Sequence, residues 1–167
     1  MTCMNPETMQ YWETKFDLGY VFPAAFPRLS TDEHGLSLEL EKTIGTGLFK
    51  AVELATIIDP TERSRVSRIL TDSQLKCVYL GGITILNEGL NLSSLDESIR
   101  AEAVKRLSCL MDDAEDLGAA LFLVSSGPDP DGHLRNEALA QLRRSICALC
   151  EHASDIATDQ PMTVTLE

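Results

Sequence analysis

The side chains best placed for chemistry in this 167-residue sequence are two carboxylates in short apolar runs. Glu167 follows Met162–Leu166, where Thr163, Thr165 and Glu167 alternate with Met162, Val164 and Leu166. On a strand, that alternation puts the two Thr and Glu167 on one face and the apolar set on the other. A carboxylate so placed can ligate Mg2+, Mn2+ or a related ion through oxygen; the alternative is a solvated, inert acid. Glu53 sits in the run Phe49–Ile58, with Phe49 and Ala51 on its face and Val52 and Leu54 opposite. An acid on a buried strand needs a partner, either a ligand or a nearby backbone N–H or Lys50. The third candidate, Ser125-Ser126-Gly127, ends another run. Small hydroxyls beside a Gly let a polyol approach the backbone and hydrogen-bond to it. The same stretch leads into Gly-Pro-Asp-Pro-Asp-Gly at 127–132, which is turn chemistry in its own right.

Other reactive side chains carry less. His34, His133 and His152 fall at no strand end, so no ligand role is assigned to them. Cys147-Ala148-Leu149-Cys150 is a CxxC inside a predicted helix. A redox pair sits at a helix N-terminus, where the thiol pKa is lowered, and a zinc site needs a second ligand pair. These cysteines are expected to face the core. The acidic run Asp112–Asp116 lies at the helix end that disfavours negative charge and reads as a solvated face. After the first apolar run comes Pro23-Ala24-Ala25-Phe26-Pro27, which is no Gly-rich phosphate loop and argues against a nucleotide or flavin fold.

The elements that must position these residues alternate. Apolar runs at Leu18–Pro23, Phe49–Ile58, Leu75–Leu80, Ala119–Val124 and Met162–Leu166 read as strands, with helical stretches between them. Leu36, Leu40 and Ile44 mark the first helix, which Gly45 and Gly47 end. Asp59-Pro60-Thr61-Glu62 supplies an N-cap, a Pro at the first helical position and an early acid for the second. Ser94-Leu95-Asp96-Glu97 reads as a capping box for the third, whose apolar stripe is Ile99, Ala103, Leu107, Leu110, Ala114 and Leu117, with Gly118 as its stop. The fourth runs from about His133 to His152 on Ala138, Leu142, Ile146, Leu149 and Ala153. Strand–helix alternation of this kind predicts a parallel sheet. Residues 1–17 show no period and form an irregular lead-in; residues 18–167 form one domain. No helix follows the fifth strand, whereas a complete doubly wound domain covers its last strand. The expectation is therefore the first half of a TIM (β/α)8 barrel, strands one to five, rather than a small α/β domain with a ragged end.

Composition sets the outer limits. Hydrophobic residues make up 44% and charged residues 24%, as in ordinary globular proteins. Aromatics are only 5%, so the core is aliphatic. Twenty-six acids against 14 basic residues give a net charge of −12, which disfavours nucleic acid and anionic membranes as partners. The apolar runs are too short to span a bilayer, and the start MTCMNPETMQYWE has neither the basic flank nor the apolar stretch of a signal peptide. Five Cys, an odd number, fit reduced thiols in a cytoplasm.

Several segments together resemble the sugar phosphate isomerase/epimerase family, the xylose isomerase-like TIM barrels. They are Phe49–Leu54, Leu90-Asn91-Leu92-Ser93-Ser94 ahead of a helix with Arg100 and Ala103-Val104, Asp116-Leu117-Gly118-Ala119, Leu123–Pro130, and Val164-Thr165-Leu166-Glu167. The resemblance covers about Leu18 to Glu167 but only the first half of the family's barrel. It implies a TIM barrel that isomerises or epimerises a sugar or sugar phosphate with a divalent metal (Mn, Mg, Co or Zn). The metal's four side-chain ligands, Glu, Asp, His and Glu, stand at strand carboxyl ends. Glu167 matches the first of them; the other three belong to the half this chain lacks. The resemblance also places Glu53 by the substrate, near the carboxyl end of the second strand; Ser125, Ser126 and Gly127 are candidate sugar contacts by their own chemistry.

The chain thus reads as the N-terminal portion of such an enzyme, with metal-assisted proton transfer in the complete protein and no tight metal binding by this chain. Glu167 and Glu53 are its catalytic candidates, and Glu167 its metal ligand. The DNA-repair nucleases of the same barrel use early-strand His ligands; here the third strand ends Tyr79-Leu80-Gly81-Gly82 and the fourth ends in Ser. Open edges on the first and fifth strands predict self-association. The alternative function is a non-catalytic α/β interaction module.

Overall fold

The computed structural model describes residues 16–30, 32–158 and 161–167. Five strands form one sheet: β1 (Gly19–Val21), β2 (Ala51–Leu54), β3 (Lys76–Leu80), β4 (Leu121–Val124) and β5 (Thr163–Leu166). All neighbours are parallel, and spatial order equals chain order. The helices are α1 (Phe22–Ala25), α2 (Leu36–Ile44), α3 (Pro60–Ser73), α4 (Gly81–Glu88), α5 (Glu97–Asp116) and α6 (Arg135–Ile156), with 3-10 turns at Pro27–Ser30 and Gly132–Leu134. This is the partial TIM barrel expected from the alternation. Of the expected lead-in, residues 1–15 lie outside the described residues. None of the described helices is long and apolar enough to cross a membrane.

The register sorts the sheet into two faces. Val52, Leu54, Cys77, Tyr79, Phe122 and Val124 are all buried, and they meet the helices. Leu40, Val66, Leu70, Ala103, Leu107, Leu110, Met111, Ala114 and Leu149 pack onto them from the helix side. Each large aliphatic side chain removed from water contributes about 1.5–3 kcal/mol, so the stability of the unit is concentrated in this layer. The other face carries Val21, Ala51, Glu53, Val78, Leu121, Leu123, Thr163 and Thr165, all partly or fully exposed.

Several elements depart from the sequence pattern. Pro23 is not in a strand; it sits in the first turn of α1, where its missing N–H costs nothing. Two helices, α4 and α5, link β3 to β4 where one was expected. α4 begins on Gly81, above the Phe122 ring, where an added Cβ would fall 2.7 Å from ring carbons. The cap of α5 is Asp96, not Ser94: its carboxylate accepts the Ser98 N–H at 2.8 Å, while Ser94 Oγ accepts the Asp96 N–H. Glu97 pairs with Arg100 rather than reaching back to the cap. Ile99 is half exposed and does not belong to the buried stripe. On α3, Asp59 caps as expected, accepting the Thr61 N–H at 2.8 Å.

The acidic run at the end of α5 is not a merely solvated face. Asp113 pairs with Arg63 of α3, Asp112 lies 2.9 Å from His152 of α6, and Glu115 accepts the Thr158 N–H and hydroxyl. Cross-element partners thus offset the helix-dipole cost of placing acids there.

Candidate functional site

The carboxyl ends of the strands hold the candidate residues. Glu53 is the third residue of β2, in register with Val21 on one side and Val78 on the other. Its neighbours Val52 and Leu54 point into the helix layer and are buried, so pleating turns Glu53 to the uncovered face. Glu167 follows β5 and extends the ladder by one step, its N–H donating to the Val124 carbonyl at 2.9 Å. It continues the Thr163–Thr165 face and is exposed. The two acids therefore share a sheet face, with β3 and β4 between their strands. Neither carboxylate is engaged in an ion pair with a described residue, and Lys50 does not cap Glu53.

Ser125, Ser126 and Gly127 come directly after β4 and are held by a second loop. The Leu92 N–H donates to the Ser126 carbonyl at 3.1 Å. Asn91 Oδ1 accepts both the N–H and the hydroxyl of Ser93, at 2.9 and 2.8 Å. The buried Ser145 hydroxyl of α6 donates to the Leu92 carbonyl at 2.7 Å. Gly127 has φ +99°, and a Cβ there would lie 2.8 Å from Asn91 Oδ1 and 3.0 Å from Asn91 Cα. Only glycine fits. The turn reading of this stretch is thus correct, and Asn91, Ser93 and Ser145 position it. Asn91 and Ser93 were visible in sequence only as part of a resemblance, and Ser145 gave no signal because its partner lies 53 residues away.

The three residues differ in what they offer. Ser126 Oγ donates to the Gly127 carbonyl at 3.2 Å. Ser125 Oγ is buried and has no partner among the described residues. Ser126 and Gly127, with Ser93, Asp129, Arg135 and Ala138, line a cavity of about 160 Å3 between this loop and the start of α6. Arg135 reaches both Asp129 oxygens there, at 2.8 and 3.1 Å. Glu53 and Glu167 are not part of that lining, so the structure gathers the candidates at one end of the sheet without bringing all five into one recess.

A divalent cation such as Mn2+ or Zn2+ needs several converging ligands. Among the described residues no three His, Cys, Asp or Glu side chains converge. Glu167 is one exposed oxygen donor, and the described residues do not complete a metal site around it.

A family model described as the xylose isomerase-like TIM barrel matches residues 38–159. The chain belongs to that family. No curated protein sequence matches it. Among solved structures, a D-tagatose 3-epimerase-like protein superposes with a TM-score of 0.65 at 16% identity, over 90% of this chain and 52% of the other. D-psicose 3-epimerase, solved in the presence of D-fructose, gives 0.63 at 16%, over 90% and 51%. SacUVDE gives 0.55 at 11%, over 78% and 46%. The chain spans about half the length of these structures, and the likeness is one of fold.

Proposed function

We propose that this chain supplies the carboxylate-bearing first half of a sugar or sugar phosphate isomerase or epimerase. The observation that carries the reading is the placement of Glu53 and Glu167 at strand carboxyl ends, on the uncovered face of a sheet that belongs to this barrel family; that end is where TIM barrels keep their reactive groups. The ketose 3-epimerases among the structural neighbours support a sugar as substrate.

In this reading Glu167 is an oxygen ligand to a divalent metal (Mn, Mg, Co or Zn), or a base that takes a proton from the carbon beside a sugar carbonyl. The metal, when bound, would polarise the carbonyl or hydroxyl oxygen; its remaining ligands come from outside the described residues. Glu53 faces the same space and holds or moves a proton on a sugar hydroxyl. Ser125 offers an unpaired hydroxyl, and Ser126 and Gly127 offer backbone groups to the polyol. A net charge of −12 repels phosphodiester backbones, so nucleic acid is no partner in this reading, and a cytoplasmic setting fits the free thiols of Cys77, Cys109, Cys147 and Cys150 among the described residues.

Amide-resolved NMR of the chain tests the site. A ketose such as D-fructose should shift the Ser125, Ser126 and Gly127 amides. Mn2+ should broaden the signals around Glu167, and Glu167→Gln should remove that broadening. Broadening confined to Asp112–Asp116, with no ketose-induced shift after β4, would sink the assignment.

Among the described residues β1 and β5 each have a strand neighbour on one side only, which favours a second reading, a non-catalytic module that acts by pairing its sheet. In this second reading those edges would pair with a second copy of the chain.

A further inference from the structure

The two cysteines of the CxxC do not face the core. α6 buries Ala138, Leu142, Ser145, Leu149 and Ala153, whereas Cys147 and Cys150 stand exposed. Three residues apart, they lie one turn apart on one side of the helix, with Cβ atoms roughly 5–6 Å from each other. A disulfide needs Cβ atoms about 3.5–4.5 Å apart. Closing one here would bend α6 near its middle, between turns whose buried side chains are fixed. A single atom held between the two sulfurs spans the gap and leaves the helix straight. The site offers two sulfurs and no more, since no third His, Cys, Asp or Glu converges among the described residues. Zinc, which takes four ligands, is poorly served by it.

We propose that Cys147 and Cys150 form a two-sulfur chelate on the outer face of α6 for a thiophilic centre that two sulfur bonds complete, the class to which monosubstituted trivalent arsenicals belong. With such a compound, R–As=O, both thiols add to arsenic: two As–S bonds form, the As–O bonds break, and the oxygen leaves with both thiol protons as water. Arsenic stays trivalent, so no oxidant is required. Burial and the neighbouring Cys147 thiol both raise the Cys150 pKa, so this sulfur brings its proton to the reaction, and that proton leaves on the departing oxygen. Of the other described cysteines, Cys109 is exposed with no second thiol on its turn, and Cys77 is buried with its pKa pushed up to about 12.

The test uses the reduced full chain and phenylarsine oxide in excess 2-mercaptoethanol, read by intact-mass spectrometry. Wild type should retain one phenylarsenic group per chain against the monothiol and lose it to 2,3-dimercaptopropanol. Cys147→Ser and Cys150→Ser should each drop the retained adduct to background, and Cys109→Ser should leave it unchanged. Both substitutions fall on exposed positions, and a circular dichroism melt of each variant establishes that α6 is intact. Failure of wild type to hold the adduct against mercaptoethanol overturns the proposal, as does its persistence in both single variants.

Discussion

Gly127 shows how one residue sets the geometry after β4. Its φ of +99° and the contacts a Cβ would make with the Asn91 side chain and backbone leave no room for alanine. Gly127→Ala should destabilise the chain by about 1–3 kcal/mol in urea denaturation, and the 2.8 Å Asn91–Ser93 hydroxyl bond is the contact it displaces. Gly132, where a Cβ meets nothing within 4 Å and φ is not positive, is the control: Gly132→Ala should be nearly neutral. At this scale the sequence was informative about residue type and poor about partners. Glu53 and Glu167 were legible because a period of two assigns a strand residue to a face without tertiary knowledge. The Asn91–Gly127 contact was not, since it joins loops far apart in the chain. The outward direction of Cys147 and Cys150 was available from the helical wheel, because both fall off the stripe through Leu142 and Leu149.

Among the elements, α2 depends on a neighbour. Its N-cap is Gly35, which has no side chain to cap with. Glu62 of α3, 4% exposed, supplies the acceptor: its Oε2 takes the Ser37 N–H at 2.9 Å, and its Oε1 pairs with Arg65 at 2.7 Å. Burial alone would raise the Glu62 pKa, but the Ser37 N–H and Arg65 outweigh it and hold the carboxyl below its ordinary 4.5. A folded-state pKa below the unfolded one gives stability that is fully present above about 4.5 and is lost as pH falls through the folded value. Glu62→Gln should therefore cost about 1–2 kcal/mol at pH 7, and its gap from wild type should narrow toward pH 3 in denaturant titrations at each pH. Asp59 and Pro60 announced α3 because capping is local chemistry. α4 stayed hidden because Gly81 and Gly82 read as breakers. They are there for the close approach to Phe122 and Ser125, a tertiary demand that overrides helix propensity.

For the whole molecule, the sheet is closed on one side only. Its helix face is a continuous apolar core, while Val21, Val78, Leu121 and Leu123 stay partly exposed on the other face, and among the described residues β1 and β5 each have a strand neighbour on one side only. Size-exclusion chromatography with light scattering should show self-association that grows with concentration; a sharp monomer peak at all concentrations, with cooperative thermal unfolding, would contradict edge pairing. Strand order and parallelism were legible from the alternation of runs, because right-handed crossovers leave little choice of topology. How far each strand reaches was not: Phe49–Ile58 yields only Ala51–Leu54 as strand, and Glu33 fixes the far end of that run by accepting the Ile58 and Asp59 N–H groups at 2.7 Å each. That spatial order equals chain order also bears on synthesis. A ribosome delivers these strands over many seconds, at about 5–20 residues per second. Each strand, as it emerges, finds its partner already made in the strand before it. Growth of the sheet is by accretion at a single advancing border, and none of these five strands has to wait for a later one to be translated before it can pair with its predecessor.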